Sequence, residues 1–555
     1  MCATFQNLRD GRGALEKRMI LEPGAALCAR SAALGLLRAP GIELGDGDSL
    51  PLGGNGLPRR RAPARSRKSP VTAWRAAALA VLLAAPVARP AQAQWRALGA
   101  LERAGAAVSA SALDLESGEV IEQLNPRERL TPASLTKLVT AAAALDAWPA
   151  DQMFHTRLIG AAQLRGATLE GDLVLQGAGD PSLDDDALWA LAAQLRGTGL
   201  ARVHGRLIVA PAPFGLVTCE TRDRCDALQR SDSAYNAPLA AAGVDFGDWC
   251  VLVRPTYAGA SARVRGCGVA ALPIPVEGVI RTVRGDARQT LWVERITDVR
   301  GDVLHVGGDV PLGDGVEVYR SMSDPARGVG LLLKETLREI GIDVEGPVVV
   351  SADPVPGRLT VLADTEGLTL REQLDRMLRF SNNYIADVLT LDLAASLGRP
   401  RSTLSAAGQV LTDFLWRLER AGGRADPSPP ILLSGSGLTP DNRLSAADLV
   451  ALLAHEYRDP RHFPAFYGGL VVPRDAPFAF LRAGTAAWLD RVALKTGTMD
   501  DPRSVCGIAG YARKRDGGWI AFAAIVNGTR RLAHVPLFRA LDAERADLVA
   551  LLGAH

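Results

Sequence analysis

The pair Ser134 and Lys137 is the first place in this sequence where residue type and spacing indicate chemistry. Only six of the 63 basic residues are lysines, so most positive charges are arginine. The run after Pro132, LTKLVTAAAALDAW, predicts a helix, on which residues three apart share a face. A lysine amine whose pKa is lowered by burial and by the helix dipole can deprotonate a serine hydroxyl, which arginine cannot do. Taken alone, the two residues are more simply interpreted as a serine that caps the helix and a lysine exposed to solvent.

Two further short motifs follow in order along the chain. The segment SNN, 381–383, precedes the predicted helix YIADVLTLDLAASL, where serine and asparagine are also ordinary helix caps. The segment KTGT, 495–498, ends the predicted strand RVAL and offers a cation, hydroxyl donors and a glycine that admits a ligand backbone. Its simpler interpretation is a surface strand that ends in a turn. Each motif is modest evidence when taken alone.

Together the three motifs are far more specific than any one of them. Ser-x-x-Lys, Ser-x-Asn and Lys-Thr-Gly occur in this order on a helix start, a helix-flanking loop and a strand. This set resembles the active-site motifs of penicillin-binding proteins and class A β-lactamases. Of the four lysines downstream of residue 93, two are the motif lysines Lys137 and Lys495.

The spacing of the motifs resembles one branch of that superfamily. Ser381 follows Ser134 by 247 residues, which leaves room for a β-rich insert, and Lys495 follows Ser381 by 114. This resembles the class C low-molecular-mass penicillin-binding proteins of penicillin-binding protein 4 type, which are D-alanyl-D-alanine carboxypeptidases and endopeptidases. The stretches GDLVLQGAGDPSL, YNAPLAAAGVDF and SGSGLTPDNRLS also look like this family. One departure is Ser434, because the family usually has aspartate there; we expect a supporting effect rather than loss of activity.

The resemblance implies a role for each motif residue. Ser134 would attack the carbonyl between two D-alanines of a peptidoglycan stem peptide, Lys137 would take its proton, and backbone N–H groups of Ser134 and Thr498 would stabilise the oxyanion. Lys495, with Thr496 or Thr498, would hold the terminal carboxylate. The side chains that would relay the proton to the leaving amine and orient the substrate are Ser381 and Asn383. The implied substrate-binding residues are Thr496, Gly497 and Thr498.

The implied fold class is α+β, a transpeptidase-like domain with an antiparallel sheet flanked by helices and a large β-rich insert. The stretch 490–529 alternates as a meander of three strands, and 107–124 predicts a hairpin. We expect this serine DD-peptidase domain to be discontinuous. The predicted boundaries are 94–155 and 360–555 for the peptidase domain, 156–250 and 320–359 for accessory domain II, and 251–319 for a small β domain III.

Composition excludes several other classes of function. A net charge of +2 gives no electrostatic case for nucleic-acid binding, and no two of the seven histidines have metal-ligand spacing, so we expect neither a metal nor a cofactor. Five cysteines follow residue 93. The close pairs 219/225 and 250/267 could form disulfides in an oxidising compartment, although sequence leaves the connectivity open, and Cys506 is expected to be a buried thiol.

Residues 59–93 have the anatomy of a secretory signal. They contain a basic run, an apolar run too short to span a bilayer, and small residues before a cleavage point expected after Ala93. Because such signals begin at the N-terminus, we expect translation to start near Val71 or a little before it, and 1–58 to be a mis-assigned or disordered leader. A long, genuine basic leader is the alternative. We expect a periplasmic protein with at most loose membrane association.

Three rival functions remain open at this point, one of which sets the motifs aside and takes the chain for an exported structural protein. A β-lactamase or esterase of the same fold is the enzymatic one, but the Glu-x-x-Leu-Asn loop with which class A β-lactamases deacylate has no counterpart after Ser134, since Leu-Asn occurs only at 124–125. A non-catalytic protein that binds peptidoglycan or senses β-lactams is the third. We therefore expect β-lactams to be covalent inhibitors that leave Ser134 slowly.

Overall fold

The N-terminal region contributes one described hairpin. The computed structural model describes residues 3–9, 15–21, 95–160, 164–353, 359–399, 403–423 and 428–555. Strands β1 (Ala3–Arg9) and β2 (Leu15–Leu21) pair antiparallel, where the sequence predicted a leader without regular structure. The predicted signal segment, 59–93, lies outside the described residues, so its cleavage stays a prediction.

The first part of the predicted peptidase domain carries Ser134, the predicted nucleophile. Its elements are α1 (Arg96–Ala104), β3 (Ala107–Asp114), β4 (Val120–Leu124), a 3-10 turn (Ala133–Leu135) and α2 (Thr136–Ala147). Helix α1 ends at Gly105, which has the left-handed conformation that glycine adopts without strain. Strands β3 and β4 form the predicted hairpin. Residues 136–145 of α2 are all buried, because this alanine-rich helix lies inside the domain rather than on its surface.

The insert between the first two motifs is built mostly of short strands. Its first elements are β5 (His155–Gly160), β6 (Leu164–Arg165), β7 (Thr168–Leu169), β8 (Leu173–Ala178), α3 (Asp185–Gly197), β9 (Arg202–Val203), β10 (Leu207–Ala212) and α4 (Arg222–Asp226). Then follow β11 (Arg230–Ser231), β12 (Asp248–Arg254), β13 (Arg263–Gly266), β14 (Val276–Gly278), β15 (Arg281–Val283), β16 (Trp292–Asp298), β17 (Gly301–Gly307), β18 (Asp309–Pro311) and β19 (Val316–Ser321). The last are α5 (Pro325–Glu339), β20 (Asp343–Val344), β21 (Val348–Val350) and β22 (Thr360–Glu366).

These strands form several separate sheets. The largest has the order β21-β10-β8-β5-β22, with parallel pairs on one side of β8 and antiparallel pairs on the other. Helices α3 and α5 bury their leucines with it in one apolar core. A small four-stranded sheet has the order β20-β9-β7-β6. The sheets β11-β16-β17-β14, β13-β12-β19 and β15-β18 occupy the region of predicted domain III. Their strands begin at Arg230 and end at Ser321, somewhat outside the predicted limits of 251–319.

The chain then returns to the peptidase domain. Its remaining elements are α6 (Leu370–Arg379), α7 (Asn383–Ser396), α8 (Leu404–Ala421), α9 (Ala446–Arg458), α10 (Phe463–Gly468), α11 (Ala486–Arg491), β23 (Val492–Met499), β24 (Val505–Arg513), β25 (Trp519–Asn527) and α12 (Leu537–Ala554). Strands β23, β24 and β25 form the predicted meander, and the complete antiparallel sheet has the order β23-β24-β25-β3-β4.

Helices cover both faces of this antiparallel sheet. Helices α2, α7, α8 and α9 share an apolar core with one face, and α1, α11 and α12 share a core with the other. Alternate side chains of a strand point to opposite faces, so β24 places Ala509 and Tyr511 in the first core and Ile508 in the second. The fold is the α+β arrangement that the sequence predicted. Strand β23, which carries KTGT, is an edge strand and so has one backbone edge without a strand partner in this sheet.

Both cysteine pairs that lie close in sequence are bonded. Cys219 is linked to Cys225 and Cys250 to Cys267, while Cys506 is a buried free thiol, as expected. The first bridge closes a short loop around α4, and the second ties β12 to β13. Among the helices of the described residues, none is long and apolar enough to cross a membrane.

Candidate active site

Ser134 lies on a tight turn rather than on the long helix that the sequence predicted. The 3-10 turn ends where α2 begins, and Ala133, just before the serine, has a φ of 47°, an uncommon conformation for a residue with a side chain. Two glycines allow the turn to pack closely. A Cβ on Gly437 would lie 1.9 Å from the Ala133 carbonyl oxygen, and one on Gly497 would lie 2.4 Å from that of Pro132. The KTGT glycine therefore brings β23 against the nucleophile turn.

Lys137 is fully buried, and its amine contacts three acceptor atoms, one of which is the hydroxyl oxygen of Ser134. Its Nζ lies 2.9 Å from Ser134 Oγ, 2.7 Å from Asn383 Oδ1 and 2.7 Å from the carbonyl oxygen of Ser436. The first two contacts join two of the motifs. The three acceptors match the three hydrogens of an ammonium group, and the serine hydroxyl lies within proton-transfer distance.

The surroundings of Lys137 hold its pKa well below the ordinary value for lysine. Burial is the largest cause, because it removes the charged form from water. The positive charge of Lys495 lowers the pKa further, the carboxylate of Asp387 raises it, and the guanidinium of Arg224 lowers it. A neutral amine at this position can accept the hydroxyl proton of Ser134.

Lys495 is the second buried lysine of the site. Its Nζ donates to Ser381 Oγ at 3.0 Å and to the carbonyl oxygen of Thr496 at 2.8 Å, and burial lowers its pKa to about 7. It sits on β23, with the exposed Thr498 three residues further along the strand. The KTGT motif is thus joined to the SNN motif. An anion near Lys495 would stabilise the charged form of its amine.

Ser381 and Asn383 occupy the junction between α6 and α7. Ser381 has a φ of 57°, and Asn382 caps α7 by accepting a hydrogen bond from the Ile385 N–H at 2.9 Å. The cap therefore falls on the middle residue of SNN, which leaves its neighbours to contact the two lysines. Asn383 Nδ2 donates to the carbonyl oxygen of Tyr235 at 3.0 Å, and that residue belongs to the insert.

Three contributors to the site were absent from the sequence prediction. The Ser436 carbonyl contacts Lys137, while its N–H donates to Asp387 Oδ1 at 2.8 Å. Asp387 pairs in turn with Arg224, whose Nη2 lies 2.6 Å from Oδ2. A backbone carbonyl carries no sequence signal. Asp387 does carry one, because a carboxylate inside the apolar helix YIADVL requires a buried partner.

Ser434 fills the place where the family usually has aspartate. The residue is fully buried, and its Oγ accepts a hydrogen bond from the Gly437 N–H at 3.1 Å. Its carbonyl oxygen accepts another from Asn442 Nδ2 at 3.0 Å. The serine thus supplies a hydrogen-bond acceptor inside the turn that presents the Ser436 carbonyl to Lys137.

The contacts described above therefore bring all five predicted catalytic residues together. Gly497 packs against Pro132 and Leu135 of the turn that carries Ser134, while Thr496 contributes its carbonyl rather than its hydroxyl to Lys495. Within the described part of the chain, no group of three or more His, Cys, Asp and Glu side chains is arranged to hold a metal ion. Such an arrangement could combine a serine nucleophile with an amine base and a separate cation for an anionic substrate group.

Comparisons with known proteins identify the family of the chain. The chain matches the family model described as D-Ala-D-Ala carboxypeptidase 3 (S13) family over residues 93–545. It is 30% identical over 447 residues to a D-alanyl-D-alanine carboxypeptidase of Actinomadura sp. (strain R39), a match that covers 76% of this chain and 78% of that one. It is 23% identical to the D-alanyl-D-alanine carboxypeptidase DacB of Haemophilus influenzae, covering 76% and 86%.

A solved structure shows the same fold. The crystal structure of penicillin binding protein 4 from Haemophilus influenzae superposes with a TM-score of 0.63 at 20% identity, covering 82% of this chain and 97% of that one. The predicted resemblance to the penicillin-binding protein 4 type is confirmed, and so is the predicted fold class. The chain belongs to the D-Ala-D-Ala carboxypeptidase 3 (S13) family.

Proposed function

We propose that this protein is a serine-type D-alanyl-D-alanine carboxypeptidase that hydrolyses peptidoglycan stem peptides through an acyl-enzyme on Ser134. One observation carries the proposal: in a chain of the S13 family, the Nζ of a buried lysine with a lowered pKa lies 2.9 Å from Ser134 Oγ. A serine hydroxyl becomes nucleophilic when an adjacent base accepts its proton. Lys137 is placed to be that base.

Acylation follows from this geometry. Ser134 Oγ attacks the carbonyl carbon between the two D-alanines while Lys137 Nζ accepts the hydroxyl proton. The negative charge that develops on the carbonyl oxygen is stabilised by the backbone N–H groups of Ser134 and Thr498, a role that fits their positions on the nucleophile turn and the edge strand. The terminal D-alanine then leaves as a free amino acid, and water hydrolyses the acyl-enzyme.

The second lysine supports recognition of the substrate terminus. In its charged form Lys495, with Thr496 or Thr498, holds the terminal carboxylate of the peptide, since a buried ammonium group binds an anion strongly. Ser381 contacts this lysine, and Asn383 contacts Lys137, so the pair is placed to pass a proton to the leaving amine and to orient the substrate amide. Endopeptidase cleavage of cross-links would use the same acyl-enzyme.

The cellular setting of this activity is also part of the proposal. The segment 59–93 has the features of a secretory signal, and the two disulfides suit an oxidising compartment, so we place the protein in the periplasm with at most loose membrane association. Peptidoglycan and β-lactams are its expected partners. The Haemophilus influenzae penicillin binding protein 4 has been solved in complex with a β-lactam.

Labelled penicillin and a stem pentapeptide together test the function. We expect a covalent label on wild type and none on Ser134→Ala, followed by release of D-alanine from the pentapeptide by wild type alone. Mass spectrometry of cross-linked muropeptides shows whether cross-links are cleaved as well. A label without D-alanine release or cross-link cleavage would indicate a β-lactam sensor instead. Absence of both label and cleavage would defeat the proposal.

A further inference from the structure

A buried ion pair lies directly behind the contacts of Lys137. Arg224 comes from the insert and Asp387 from α7, and their side chains are 3% and 0% exposed. One nitrogen of the guanidinium lies 2.6 Å from Asp387 Oδ2, and another donates to the carbonyl oxygen of Ala237. Even a paired buried ion pair often stabilises a protein no more than apolar residues of similar size, so stability alone does not explain this pair.

The ion pair is connected to the base through a single residue. Asp387 Oδ1 accepts the N–H of Ser436 at 2.8 Å, and the carbonyl oxygen of Ser436 accepts a hydrogen bond from Lys137 Nζ at 2.7 Å. The carboxylate therefore fixes the orientation of this residue, and with it one of the three acceptors that hold the amine beside Ser134 Oγ.

We propose that Arg224 is a positioning residue for Lys137, and that the disulfide loop 219–225 of the insert exists in part to hold its guanidinium against Asp387. This inference rests on the proposed function, because it assigns Arg224 to the same acylation step. It makes the insert a structural component of the peptidase site rather than an appended domain.

The local structure around Arg224 supports this role. Helix α4 has only five residues, too few to be stable by itself, and the bridge from its own Cys225 to Cys219 closes the loop that leads into it. A further contact holds the loop, since Asn236 Nδ2 donates to the carbonyl oxygen of Asp223 at 2.9 Å.

The charges around Lys137 make the proposal testable by pH. The charged groups that act on its amine are Lys495 from β23, Asp387 from α7 and Arg224 from α4; the two cations lower its pKa and the carboxylate raises it. Loss of the guanidinium leaves the carboxylate unopposed, which favours the protonated and inactive amine. Loss of the carboxylate lowers the pKa of Lys137 and so favours the neutral amine.

The experiment is the pH profile of Ser134 acylation by labelled penicillin. For Arg224→Met we expect the profile to move to higher pH, which slows acylation near neutral pH by about tenfold for every pH unit that the midpoint rises. For Asp387→Asn we expect the midpoint to move to lower pH, with a lower maximal rate. The double variant should have a midpoint close to wild type, because both charges are absent while the asparagine can still accept the Ser436 N–H.

Conservative and matched variants separate positioning from general damage. Arg224→Lys keeps the charge and should keep the wild-type midpoint. Arg295→Met removes another buried arginine, whose Nε donates to the Ser321 carbonyl at 2.8 Å, and should lower thermal stability without moving the profile. Replacing Cys219 and Cys225 by serine should move the profile as Arg224→Met does. The same change at the Cys250–Cys267 bridge should not.

The outcomes distinguish this inference from the proposed function. Wild type that takes no label contradicts the function itself. Wild type that is labelled, with Arg224→Met acylated at the wild-type rate and midpoint, overturns the positioning role and leaves the function intact. If Arg224→Met does not fold, the serine replacement of Cys219 and Cys225 decides, and a wild-type profile for that variant overturns the inference.

Discussion

Lys495 and Ser381 are separated by 114 residues of sequence, yet Lys495 Nζ donates to Ser381 Oγ at 3.0 Å. This contact joins the edge strand β23 to the junction before α7. Lys137 of α2 makes the corresponding contact with Asn383 Oδ1 at 2.7 Å. Two buried lysines thus hold the SNN segment between them, one placed to act as a base and the other to bind an anion.

Replacement of Lys137 by arginine tests whether titration or charge matters at this position. Arginine keeps the positive charge but does not release its proton near neutral pH, so acylation of Ser134 should fall by roughly 10²–10⁴-fold. The measurement is the rate of labelling by penicillin, with folding checked by thermal unfolding. Lys334→Arg is the matched control, because Lys334 lies in the insert, where its Nζ donates to the Gly346 carbonyl. Equal acylation in both variants would exclude Lys137 as the base.

The pKa of Lys495, lowered to about 7 by burial, predicts the alkaline limb of the pH profile. Above that pH the amine is neutral and no longer attracts the terminal carboxylate, so kcat/KM for a D-Ala-D-Ala peptide should fall about tenfold per pH unit. A peptide that ends in D-alaninamide has no carboxylate. It should react more slowly and lack this limb. If kcat/KM falls at alkaline pH in the same way for both substrates, a group other than Lys495 causes the fall.

Penicillin should acylate Ser134 once and leave slowly. The sequence has no Glu-x-x-Leu-Asn loop after Ser134, and the Asn125 of its single Leu-Asn pair contacts Glu102 and the Val108 carbonyl instead of a motif residue. Mass spectrometry of the intact protein should show one bound penicillin that persists over the assay, and Ser134→Ala should show none. Rapid turnover of many equivalents of penicillin would identify a β-lactamase.

Ser434 should support the site without being required for the reaction. Ser434→Ala leaves the buried N–H of Gly437 without its acceptor, which costs about 1–3 kcal/mol of unfolding free energy and should reduce acylation severalfold. Ser434→Asp restores the residue that the family usually has and keeps an acceptor, so its acylation should stay near wild type. Urea unfolding and penicillin labelling measure the two effects. Complete loss of acylation in Ser434→Ala would show that the hydroxyl does more than support the turn.

Glu544 predicts how stability changes with pH. It is fully buried beside the thiol of Cys506, and burial raises its pKa from the usual 4.5 to about 8. Because the folded state keeps a proton that the unfolded state has lost, this stability is complete below pH 4.5 and disappears as pH rises to about 8, by roughly 1 kcal/mol per pH unit. Urea unfolding of Glu544→Gln should show a flatter pH dependence than wild type. Parallel curves for the two proteins would contradict this.

The sequence by itself determined the chemistry and most of the local structure. Side-chain alternation predicted the meander of β23, β24 and β25, and three short motifs drew attention to Ser134 and both buried lysines, because these signals depend on residues close together in the chain. The pairing of the cysteines also followed sequence proximity, although sequence left it open. The prediction that Ser134 lies on the long helix was wrong, because residues 133–135 form a 3-10 turn before that helix begins. Gly437 and Gly497 pack closely against the backbone of this turn.

Only the tertiary structure decided how the site is completed. The approach of Lys137 to the Ser436 carbonyl, and of Arg224 to Asp387, joins residues that are 299 and 163 positions apart. A backbone carbonyl is the same in every residue, so no motif identifies the one that contacts the base. A buried carboxylate indicates that a partner exists, but which arginine of the insert reaches it depends on how the separate segments pack.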